Sequence, residues 1–135
     1  MIEFTVNIEP MGAVRMTQRG KWVNPKAQEY LSYKNVIGFE ARKHVKTPIT
    51  GPVNAIITFY YPIPVSWSKK KRIQAHLGQL QPTVKPDLDN CVKGVYDALN
   101  KVAWKDDNLV ISTIARKLYS EEPRIVIRIE EVKAA

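Results

Sequence analysis

KPDLDNCVKGVYDALNKVAWKDD, residues 85–107, holds every aspartate of the chain: Asp87, Asp89, Asp97, Asp106 and Asp107. From Asp87 or Leu88 it reads as a helix to about Asn100, because Cys91, Val92, Val95, Tyr96 and Leu99 recur three and four residues apart. The polar side of that helix carries Asp89, Lys93, Asp97 and Asn100 at i+4, i+4 and i+3 steps. One helix therefore buries an apolar stripe and displays carboxylates and a lysine in a row. Asp106 and Asp107 would lie roughly 20 Å farther along the axis if the helix simply continued. They join the first pair only if the chain folds back after Asn100. Small Ala103 and aromatic Trp104 suit such a return; Val102–Lys105 reads as a short extended piece and Asp106-Asp107-Asn108 as a polar turn.

Working outward, Gln79–Lys85 is a loop, and before it Ser66 or Ser68 can cap a short helix from Lys69 to Leu77 that stops at Gly78. Val53, Ala55, Ile57, Phe59 and Tyr61 alternate with Ile56, Thr58 and Tyr60, which are also largely apolar, so this segment reads as a central strand covered on both sides. Asn24-Pro25 opens a helix to about Lys43, with Ala27, Tyr30, Leu31, Ile37 and Ala41 inward. Ile2–Glu9 alternates strictly and forms a strand ended by Pro10 and Gly12. Downstream, Leu109–Tyr119 and Arg124–Val132 complete the set as strands. The order is β-α-β-(short α)-α-β-β. It predicts a single α+β domain over residues 1–135, a mixed sheet with helices packed on one face.

The hydrophobic share of 44% and charged share of 25% are those of an ordinary globular chain with one modest core. A single cysteine, Cys91, excludes an internal disulfide and a cysteine zinc cluster, and two separated histidines, His44 and His76, argue against a histidine metal site. No apolar run reaches membrane-span length and Met1–Pro10 has no signal-peptide core, so the expected location is cytoplasmic, with no membrane partner. Net charge is +8, unevenly spread: residues 1–85 hold 13 Lys/Arg against 4 Glu, and residues 86–135 hold 8 against 9 Asp/Glu. A basic body around an acidic centre fits an enzyme on a polyanion, with cations attracting phosphates and carboxylates holding a divalent ion. The densest run, Lys69-Lys70-Lys71-Arg72, opposes the dipole of its own helix, which favours phosphate contact over helix stability. Arg15, Arg19 and Lys21, with Trp22, form a second basic segment.

Three carboxylates from Asp87, Asp89 and the later pair, with no His or Cys among the ligands, make a hard oxygen site suited to Mg²⁺ or Mn²⁺ and not to zinc. A metal-bound water is then available for phosphodiester hydrolysis, and Lys93, one turn beyond Asp89, can stabilise developing charge. Structural alternatives stand beside this. Asp87 can be only an N-cap, Asp89 and Lys93 an ordinary surface pair, and Asp106-Asp107-Asn108 only a turn. A basic DNA-binding accessory protein of recombination or replication, without catalysis, would carry the same charge, and a less selective structure-specific nuclease acting on flaps or forks would carry the same metal site and basic surface.

The run K-P-D-L-D-N-C-V-K-G-V-Y-D-A-L resembles the signature of the RusA-type Holliday junction resolvases of phages and prophages: a basic residue (Lys85), D-x-D-N-x-x-K-x-x-x-D-A-L, then an aromatic (Trp104) and an acidic pair (Asp106, Asp107). Arg15-Met16-Thr17, Asn24-Pro25-Lys26 and Tyr30 are similar to the family's N-terminal segment, although Val14 stands where the family usually has proline. The resemblance spans essentially the whole chain. It implies a homodimeric, Mg²⁺-dependent endodeoxyribonuclease that nicks four-way DNA junctions symmetrically and needs no small-molecule cofactor. Its three metal ligands fall on Asp87, Asp89 and Asp107, and its essential lysine on Lys93. Asn90, Asp97 and Asp106 take supporting roles, with Asp97 expected to orient Lys93 or the helix end. Arg15, Arg19, Lys21, Lys69, Lys70, Lys71, Arg72 and Lys85 are the expected DNA contacts.

Overall fold

The computed structural model describes residues 1–17 and 24–133. Four strands form one sheet in the order β1-β4-β2-β3, where β1 is Ile2–Val6, β2 Val53–Pro62, β3 Val110–Ser120 and β4 Arg124–Glu131. β4 lies antiparallel between β1 and β2, while β2 and β3 run parallel. A parallel pair needs a crossover, and the helices α2 (Lys69–His76) and α3 (Leu88–Leu99) supply it. Helix α1 (Pro25–Arg42) joins β1 to β2. The α+β order expected from the sequence is the one observed.

Alternation decides which face of the sheet is dry. Val53, Ala55, Ile57, Phe59 and Tyr61 of β2, Ile125, Ile127 and Ile129 of β4, and Phe4 and Val6 of β1 are all buried. The helices pack on this face: Tyr61 meets Cys91 of α3, Tyr96 of α3 meets Thr113 of β3, and Trp67, just before α2, stacks edge-on against Tyr119 at 5.3 Å. β2 is interior in the sheet as expected, but it is not covered on both sides. Ile56 and Tyr60 on its other face are only half-buried and Ile114 of β3 is exposed. Helices α1 and α3 cross where Gly38 faces the Ala98 carbonyl, a hypothetical Cβ coming within 3.6 Å of that oxygen.

Three local expectations need correction. β1 stops at Val6, where the Ile8 amide turns back to the Val6 carbonyl at 2.9 Å and takes the chain out of the sheet. On α1 the buried set includes Tyr33 and Gly38, and Leu31 is only half-buried, because Tyr30, Tyr33, Ile37 and Ala41 form the tighter stripe. The segment Val102–Lys105 is not extended. Asn100 ends α3, Lys101 takes a positive φ of 66° and donates to the Trp104 carbonyl at 2.7 Å, and the chain reverses in a tight turn. Ile49 clasps this turn by bonds to the Ala103 carbonyl and from the Lys105 amide, each 2.9 Å. Asn24 and Ser68 cap α1 and α2, accepting from Lys26 and Lys71 amides.

Candidate active site

Asp87 occupies the N-cap position of α3, yet its side chain caps nothing. An N-cap carboxylate normally accepts from an amide of the first turn, so this one is presented outward instead. Asp89 follows in the first turn and is exposed. Among the described residues neither Asp89 nor Lys93 belongs to an ion pair, which removes the reading of an ordinary i,i+4 surface pair. The approach to Asp87 is held from the sheet: the Tyr61 hydroxyl donates to the Pro86 carbonyl at 2.5 Å and the Lys117 ammonium to the Val84 carbonyl at 2.7 Å. Burial first, and then its contact with Cys91, raise the Tyr61 pKa, so it remains a donor. Burial likewise raises the Cys91 thiol, which favours its protonated form.

The reversal after α3 brings the second acidic pair back. Trp104 is fully buried, packs edge-on against Tyr96 at 5.9 Å, and donates its indole N–H to Asp107 Oδ1 at 2.8 Å. Burial raises the Asp107 carboxyl above the usual range. The Trp104 bond pulls it down, while nearby Asp97 and Asp106 push it up. Asp107 therefore lies beside the Asp97 end of α3, and Asp87 and Asp89 lie at the other. Among the described residues no three Asp, Glu, His or Cys side chains come together as a group that could hold a metal ion, so Asp87 and Asp89 are not brought together with Asp107. The donors are hard carboxylates strung along one helix and its return turn, a type suited to a divalent ion such as Mg²⁺ and not to zinc. Asp106 caps the turn, accepting from the Asn108 amide at 2.9 Å. Asp97 does not pair with Lys93; it accepts from the Tyr30 hydroxyl of α1 at 2.6 Å.

Asn90 and Gly94, one turn apart on α3, dock the N-terminal loop. The Ala13 amide donates to the Asn90 carbonyl at 3.2 Å, and Asn90 Nδ2 donates to the Ala13 carbonyl at 3.3 Å. At Gly94 a Cβ would come within 3.4 Å of the Met11 carbonyl. At Gly12 a Cβ would collide with Asn90 Nδ2 and lie 3.1 Å from Pro86 Cβ. Docking carries Arg15 into a cleft with Lys93, Asp97 and Asn100; Lys26, Lys85, Asp87 and Asn90 line a second cleft on the other side of Ala13 and Val14. Gly12→Ala should push Asn90 aside, break its bond to Ala13 and displace Arg15. Because an ångström of misplacement can cost about a hundredfold, the expected result is a ten- to hundredfold lower single-turnover cleavage rate with near-normal thermal unfolding.

Of the expected DNA contacts, Arg15 and Lys85 flank the carboxylates, and Lys69, Lys70, Lys71 and Arg72 sit together on α2, where Lys71 lies over the Trp67 ring at 4.0 Å. Arg19 and Lys21 lie outside the described residues. Sequence reasoning missed Tyr61 and Lys117, whose role is visible only once β2 and β3 are paired. It also missed Gly12, although a glycine between Met11 and Ala13 was a signal of close backbone approach.

The chain belongs to the RusA endodeoxyribonuclease family: the family described as Endodeoxyribonuclease RusA matches residues 7–130. It is thus a nuclease acting on DNA. Over 141 aligned residues it is 45% identical to the Uncharacterized protein YqaN of Bacillus subtilis (strain 168), covering 98% of both chains. It is 34% identical over 82 residues to the Crossover junction endodeoxyribonuclease rusA of Lactococcus phage r1t, covering 60% of this chain and 56% of that one.

Proposed function

We propose that the protein is a Mg²⁺-dependent Holliday junction resolvase, hydrolysing phosphodiester bonds in paired, symmetric cuts during DNA recombination and repair. The observation that carries this reading is the outward Asp87 carboxylate at a helix start it does not cap, followed on the same helix by Asp89 and Lys93, which join no ion pair among the described residues. On this reading Asp87, Asp89 and Asp107 would hold the metal, although the resting chain does not gather the three into one site, and Mn²⁺ would be able to replace Mg²⁺. The bound ion supplies Lewis-acid polarisation of the phosphate and an activated water. Lys93 places its ammonium where charge develops on the phosphate oxygens, and water-exposed basic side chains on both flanks align the strand. Trp104 fixes Asp107 through its indole N–H. Trp104→Phe keeps most of the buried ring but removes that donor, and it should lower activity about ten- to hundredfold, the usual cost of losing a partner of a metal ligand. The check is a titration of cleavage rate with Mg²⁺, in which the half-saturating concentration should rise.

A four-way junction offers two equivalent strands, and each 15.4 kDa chain carries one set of these carboxylates, so the working unit on this reading is a two-fold dimer. Sedimentation of the protein with an immobile junction tests it: a monomer that still cuts both strands would defeat the dimer.

A further inference from the structure

The cleft between α1 and α3 holds one cation, Lys34, that the proposed reaction gives no role. Arg15, Lys34 and Lys93 line it with Asp97 and Asn100, a space of about 730 Å³. Its single carboxylate, Asp97, is oriented by the Tyr30 hydroxyl, which donates to it at 2.6 Å, and it can offset only one of the three cations. Lys34 is half-buried, stands 4.8 Å over the Tyr30 ring and belongs to no ion pair among the described residues. The Tyr30 ring supports its stem and aims its head along the cleft instead of letting it range through solvent. Three cations against one carboxylate leave the cleft net positive, which favours a further anion. Asn100 lines the same cleft, but its Oδ1 is buried and is not offered to a ligand there. A phosphate group supplies the further anion.

We propose that this cleft binds a phosphodiester group of the DNA strand next to the cleavage site, with Lys34 as a phosphate ligand on α1. The inference rests on the DNA-nuclease reading and deepens it by setting the path of the strand. The two clefts adjoin across Ala13 and Val14, so the backbone passes from Lys26 and Lys85, by Asp87, to Lys93 and Lys34. The route follows α3 and does not depend on the lysine run of α2. Helix α1, which the sequence shows only as a core helix, becomes one wall of the DNA site. Tyr30 is then a positioning residue that holds both Asp97 and Lys34.

The test is binding of a fluorescent immobile four-way junction to the full chain, with Ca²⁺ replacing Mg²⁺, at several salt concentrations. Lys34→Gln keeps an extended stem over Tyr30 and removes the charge. One lost phosphate contact lowers the slope of log affinity against log salt by about 0.9. The affinity advantage of the wild type should therefore shrink about 3.5-fold between 50 and 200 mM salt. Lys34→Arg should restore the slope. Lys46→Gln, an exposed lysine lining neither cleft, should leave it unchanged. An unchanged slope in Lys34→Gln, or an equal loss in Lys46→Gln, would overturn the proposal. Wild-type protein that binds no junction would instead overturn the nuclease reading beneath it, before any variant is compared.

Discussion

Asp87→Asn, Asp89→Asn and Asp107→Asn should each lower the single-turnover cleavage of a four-way junction by about 10²–10³-fold or more, with junction affinity unchanged or slightly higher. The metal contributes several kcal/mol of charge stabilisation, and each factor of ten is about 1.4 kcal/mol. Affinity does not fall, because each substitution removes a negative charge from a surface that meets phosphates. The three variants should differ in stability. Asp107 has its carboxyl raised in the fold, chiefly by burial. Raising a carboxyl pKa favours the protonated form, so that contribution to stability is present below the ordinary carboxylate range and is lost as pH rises through the folded value. At neutral pH ionised Asp107 is a cost that a cation relieves. Asp107→Asn retains an oxygen for the Trp104 indole and should raise the metal-free Tm at neutral pH, with the gain vanishing in acid. Asp87 and Asp89, exposed at a helix start where negative charge is favourable, should show no such gain. Full activity in any one variant would remove that residue from the site.

Lys93→Ala should reduce the rate of the bound complex by about 10²–10³-fold, or roughly 3–4 kcal/mol of barrier, with a much smaller change in affinity. The reason lies in where the ammonium stands: exposed on α3, in no ion pair among the described residues, and one turn after Asp89. With no carboxylate among the described residues holding it, its interaction is available to charge that appears only during the reaction. The checking measurement separates the two effects, using single-turnover rates at saturating protein and equilibrium binding without cleavage. If binding falls and the bound complex reacts at the normal rate, Lys93 is only a phosphate anchor.

Much of this was legible because α3 carries its information in its own periodicity. Its apolar stripe, its polar row and its place before a chain reversal all follow from residues 85–107. The parallel pairing of β2 and β3 was not legible, since two apolar runs look alike whatever their neighbours. With that pairing unseen, the hold of Tyr61 and Lys117 on the Pro86 and Val84 carbonyls was out of reach. Trp104 was correctly placed in the return. Its turn was misread as extended because the positive φ falls on a lysine, a residue that gives no warning of it. Of the two roles expected for Asp97, orienting Lys93 or the helix end, the first finds no ion pair among the described residues, for a related reason. A lysine four residues away in sequence is an obvious candidate, whereas Tyr30 is 67 residues away and meets Asp97 only through the packing of α1 on α3.

The most direct measurement is incubation of the purified protein with an end-labelled immobile four-way junction and, in parallel, a linear duplex of the same sequence, with Mg²⁺ and with EDTA. The account predicts paired nicks at symmetric positions in opposing strands of the junction, nicked linear duplex as product, no cleavage in EDTA and little on the linear DNA. Equal cleavage of the linear duplex, cleavage in EDTA, or an uncut junction in Mg²⁺ would contradict it.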